Sequence, residues 1–130
     1  MSITLATQDK STLRTAAYGA VSLVAAAGDK PGKAATAGTI ALTSATGLVG
    51  YVLAERSTGV KLVGKSVAEL ADQVFPALTA AVALLGEQAP AEADNFRNTV
   101  LVAIDAAQIH QSTPAMVEMA RKITAALDAA

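Results

Sequence analysis

The 130-residue sequence contains no cysteine, no tryptophan and one histidine, with only two phenylalanines and two tyrosines. Without cysteine there is neither a disulfide framework nor a thiolate metal site. A lone His110 leaves no second imidazole for a transition-metal centre, and its position predicts a helix-end residue interacting with the terminal carbonyls. Tyr18, Tyr51, Phe75 and Phe96 are too scattered to form a base-stacking platform, so they are assigned to core packing. Charge is sparse as well. Charged residues make up 16% of the chain against 52% hydrophobic, which excludes intrinsic disorder. The net charge of −1 gives no general attraction to nucleic acid.

Alanine fills the space, at 31 positions. It is the strongest helix former, and a core poor in aromatics closes only if its elements approach tightly. The expectation is one all-α domain over residues 1–130, a compact bundle of five to six helices. The small net charge conceals an asymmetry. Residues 1–65 carry seven Lys/Arg and three Asp/Glu, whereas residues 66–130 carry three and eight. Such opposed halves attract within the fold or align head to tail between copies. Met1–Gln8 lacks the basic start of a secretory leader, so the expected location is cytoplasmic.

Helical spacing of Leu13, Ala17, Ala20, Val21 and Val24 predicts a first helix to Ala27, capped by Thr7 or Ser11. A turn follows at Gly28–Lys33. Residues 34–54 carry no charge and are read as one central helix, buried on most sides and studded with small residues. Their length also permits a membrane-associated alternative. Residues 56–65 read as a loop. Ser66 and Glu69 form a capping box for a helix that runs to Leu85, stops at Gly86 and is kinked or broken at Pro76. Pro90 opens a helix that buries Ala93, Phe96, Val100, Ala103, Ile104 and Ala107 and ends near His110. Thr113 and Pro114 start the last helix, with Met116, Met119, Ala120, Ile123 and Leu127 inward and Glu118, Arg121 and Lys122 outward.

An offset of 83 residues aligns 13–43 with 96–126. Arg14 falls on Arg97, Ala20 on Ala103, Pro31 on Pro114, Ala37 on Ala120 and Ile40 on Ile123. Both stretches read as an apolar helix, a polar turn and a Pro-initiated helix, the pattern of two pseudo-repeated helix-turn-helix units. The stretch AAYGAVSLVAAAGDKPGKAATA resembles the first half of the TerB-like tellurite-resistance family, and FRNTVLVAIDAAQIHQSTPAMVEMARKI resembles its later unit. The resemblance implies an all-helical, duplicated, non-enzymatic protein of metal or stress response and allows a place near the inner membrane. It also implies metal binding at acidic turns, for which Asp29 is the candidate here. The departure is large: Lys30 and Lys33 flank Asp29, and the second turn, Gln111-Ser112-Thr113, has no carboxylate. A hard cation wants six or more oxygens, so the turns are expected to have lost the metal.

One segment matches a catalytic pattern. Gly59, Gly64, Lys65 and Ser66 fit G-x-x-x-x-G-K-S, in which glycines wrap phosphates, Lys reaches the terminal phosphates and Ser holds magnesium. Val100–Ile104 followed by Asp105 would supply the companion strand. Against this nucleotide-binding alternative stand the β-branched residues inside the loop and the lack of chain for a parallel sheet. No serine or threonine is placed beside His110 for nucleophilic catalysis. The sequence therefore favours a helical binding or assembly module that needs no cofactor, with a protein partner or a second copy of itself.

Overall fold

The computed structural model describes residues 5–55, 66–109 and 111–130. Six helices account for most of them: α1 (Thr7–Ala26), α2 (Pro31–Thr43), α3 (Gly47–Ala54), α4 (Val67–Gln88), α5 (Pro90–Ala107) and α6 (Pro114–Asp128). No strand occurs among the described residues. The chain is an all-α bundle.

α1 is the buried element. Leu13, Ala16, Ala17, Ala20, Leu23 and Val24 are fully enclosed, and small side chains on this helix let α2, α4 and α5 pack against it. The segment 34–54 therefore does not form the single central helix its lack of charge suggested. It divides at Ser44–Thr46 into α2 and α3, because the backbone must turn at Gly47, whose φ of +71° suits glycine. α2 buries only the stripe Ala34, Gly38 and Leu42, one residue per turn, and Ile40 on its far side is 61% exposed. The same division removes the basis for a membrane span over 34–54.

α1 and α5 form a central layer in contact with each other. α2 lies on both and touches neither α4 nor α6, while α4 lies on α1, α5 and α6. Phe96 of α5 is fully buried, with Val74, Leu78 and Leu85 of α4, Leu13 of α1 and Ile123 and Leu127 of α6 in the same core. The inward faces assigned to α1, α5 and α6 from helical spacing are the faces that the fold encloses, though Met119 and Ala120 are only half-buried.

The caps divide into two groups. Ser66 accepts from the Glu69 amide at 3.2 Å, and Thr113 accepts from the Met116 amide at 3.1 Å, as expected of their positions. α1 has Ala6 at its N-cap with no side-chain cap, so neither Thr7 nor Ser11 has that role; Ser11 lies a full turn inside. α4 runs unbroken past Pro76 and Gly86 to Gln88. Pro76 sits on its exposed side, opposite Val74 and Leu78, where a missing amide faces water and not the core. α5 ends at Ala107, earlier than expected, and His110 lies outside the described residues. Tyr51 is 67% exposed, so it is not a core residue, whereas Phe96 is.

Candidate functional site

The two turns that the sequence aligned meet in space. The Asp29 amide donates to Gln111 Oε1 at 3.0 Å, and Gln111 Nε2 donates back to Asp29 Oδ2 at 3.0 Å. Thr113 Oγ1 donates to the Ala27 carbonyl at 3.0 Å, which ties the start of α6 to the end of α1. Beneath the contact lies a space of about 10 Å³, lined in part by Lys30, Lys33 and Gln111. It is smaller than a hydrated cation requires. One oxygen of Asp29 is already engaged, the neighbouring charges are positive, and no group of three or more His, Cys, Asp or Glu gathers among the described residues. This donor set does not fit a hard cation. Gln111 is the partner that sequence reading overlooked; its place one residue before the position aligned with Asp29 was the available signal.

A second polar cluster fastens α3, which at eight residues is too short to persist alone. Glu92 of α5 accepts the Val49 amide at 3.1 Å, placing a carboxylate at the positive end of α3. Asn95 donates to the Thr46 carbonyl at 2.8 Å and to Glu92 at 3.2 Å. At the other end Arg14, 3% exposed, donates from Nε to the Val52 carbonyl at 3.1 Å and pairs with Glu55 at 2.9 Å. Tyr18 donates its hydroxyl to the Leu53 carbonyl at 2.6 Å. Both ends of α3 are thus satisfied by side chains from α1 and α5.

Burial raises the Tyr18 phenol above the usual tyrosine range, with Arg14 pulling weakly the other way. The fold therefore favours the neutral phenol. Stability from this group is complete below the unfolded value of about 10 and is lost as pH rises through the higher folded value. Urea titrations from pH 8 to 11 are expected to show a falling alkaline limb that Tyr18→Phe makes shallower. An identical limb in the variant would mean that other groups cause the loss.

Of the phosphate-loop residues, Gly59, Gly64 and Lys65 lie outside the described residues. Ser66 is the N-cap of α4. Val100–Ile104 is helix and not the companion strand, because its apolar residues fall at α5 spacing onto α1 and α2, and Asp105 is exposed on that helix. With no sheet among the described residues, the frame that holds a nucleotide in such folds is missing there.

No family model, curated protein or solved structure matches this chain. The surface then carries the functional question. α4 is the one helix among the described residues long and apolar enough to cross a membrane by length and composition, and its bulky residues Val74, Phe75, Leu78, Val82, Leu84 and Leu85 lie in or against the core. Its outward side presents Asp72, Pro76, Ala80, Ala83 and Glu87. The acids Glu69 and Asp72 near one end break the uncharged run, which is why 34–54 drew attention in the sequence and 67–88 did not.

Proposed function

We propose that the protein is a non-enzymatic helical assembly module that binds protein through the outer face of α4. The observation behind this reading is the outer face of α4, where Pro76, Ala80, Ala83 and Gly86 form an exposed strip of small residues between Asp72 and Glu87, while Leu70, Phe75, Val82 and Leu84 pack against the core. A strip without bulky side chains lets a second helix approach closely. Its charges favour protein over lipid: α4 carries Glu69, Asp72 and Glu87 and no Lys or Arg, whereas helices that lie on anionic membranes carry basic polar faces. The TerB-like resemblance and the shared 83-residue offset support a duplicated scaffold, since α1 and α5 begin at 7 and 90 and α2 and α6 at 31 and 114. In this reading the turns hold each other where relatives of such a scaffold would hold a metal.

A photo-crosslinking residue at Ala80, in cells of the source organism, tests the proposal. Discrete protein adducts are expected from position 80 and none from Lys122, which is exposed on α6. Equal adducts from both positions, or lipid adducts alone from position 80, would refute it.

A further inference from the structure

The exposed face of α4 has an electrostatic counterpart on the same molecule. α2 carries Lys33 and no acid, with Lys30 just before it and the preceding Asp29 carboxylate held by Gln111, while α4 carries only acids. Among the described residues no ion pair engages Lys30, Lys33, Asp72 or Glu87. The two faces cannot meet within one chain, because α2 and α4 lie on opposite sides of the α1–α5 layer without contact.

We infer that copies of this chain associate head to tail, the outer face of α2 on one copy seating on the outer face of α4 on the next. This rests on the docking role proposed for α4 and names its partner. The helix poles set the orientation. The start of α2, positive by its free amides and by Lys30 and Lys33, has no side-chain cap. The end of α4, negative by its carbonyls, carries Glu87 and no base. Bringing them together runs the helices antiparallel. With Lys33 beside Glu87, seven residues of rise, about 10 Å, carry α2 forward to Ile40 and α4 back to Ala80. Ile40 is the large apolar side chain that the open face of α2 leaves 61% exposed, in a shallow surface lined by Lys33, Thr36 and Ala37. Ala80 and Ala83 offer it a site free of bulk.

The footprint is limited by α2, 13 residues or about 20 Å long and about 10 Å wide. That is well below the ~800 Å² each partner contributes to a stable interface, so the contact is weak and forms at high protein concentration. Because it joins two different faces, it leaves a free α2 at one end and a free α4 at the other and extends beyond a dimer.

Sedimentation velocity of the purified full chain from about 10 µM to 1 mM tests this. The wild type is expected to shift progressively to species larger than a dimer, and less so at 1 M salt, where charges about 3 Å apart are already screened. Ile40→Glu blocks the α2 face and Ala80→Glu blocks the α4 face; both sites are exposed, and thermal unfolding checks that each variant folds. Each variant alone should remain monomeric. Their equimolar mixture should form a one-to-one pair and nothing larger, since each supplies the face the other lacks. Wild-type association that survives Ile40→Glu, or a mixture that stays monomeric, would overturn the head-to-tail arrangement. A monomeric wild type at every concentration would overturn it too, while discrete adducts of another protein at position 80 would leave the docking role of α4 standing.

Discussion

Arg14→Met is expected to lower the unfolding free energy by about 3 kcal/mol, since the lost bond is charge-assisted and its acceptor is left buried. Methionine keeps most of the stem packing, which separates the polar loss from a cavity. The Nε bond goes to the carbonyl of Val52, a residue with no exposed surface, in the last turn of α3. The ion pair with Glu55 adds less, because the Glu55 side chain is 41% exposed and solvated without its partner. Glu55→Gln should accordingly cost under about 1 kcal/mol. For a chain of this size the Arg14 loss corresponds to a fall in Tm of roughly 10 °C, followed by circular dichroism. Equal losses from the two variants would show that the pair, and not the bond to Val52, holds this end.

Gly50→Ala is expected to cost about 3 kcal/mol, at the upper end for overpacking. A Cβ at position 50 would stand 2.5 Å from the carbonyl carbon of Ala45 and closer still to its oxygen. Both are backbone atoms in the turn between α2 and α3, so no rotamer change relieves the clash. The turn must shift, and with it the Thr46 carbonyl held by Asn95 and the Val49 amide held by Glu92. Gly86→Ala is the control. Nothing lies within 4 Å of a Cβ there, inside the last turns of α4, so a gain of about 0.5–1 kcal/mol is expected from helix propensity. A Gly50→Ala melting curve that overlays the wild type would show that the turn yields without strain.

The features of this fold differ in how far the sequence discloses them. Periodicity in α1, α5 and α6 reflects side chains meeting the core at every turn, so burial at Leu13, Phe96 or Ile123 could be read from spacing alone. Local capping at Ser66 and Thr113 was legible for a similar reason, since donor and acceptor are three residues apart. Bonds across 35 to 82 residues leave no such trace. Arg14 reads as a surface cation on an apolar helix until α3 brings its carbonyls to it, and Gln111 reads as a turn residue until Asp29 faces it. Absence of charge misled the reading of 34–54, because hydropathy says which residues avoid water but not how the backbone is divided. Pro76 misled in the opposite direction: its local cost is real, but α4 is held by α1, α5 and α6 along its length.

The fastening of α3 also bears on the order in which the molecule assembles. Its bonds to Arg14, Tyr18 and Glu92 span 38, 35 and 43 residues, and they come from two helices distant from each other in the chain. Closing loops of that length costs entropy before any bond repays it. Neither helix alone satisfies both ends of α3, so α3 is fully fastened only with α1 and α5 both in place, like a peg held in a closed joint. Its amides are then expected to exchange as that joint loosens, ahead of the amides around Phe96.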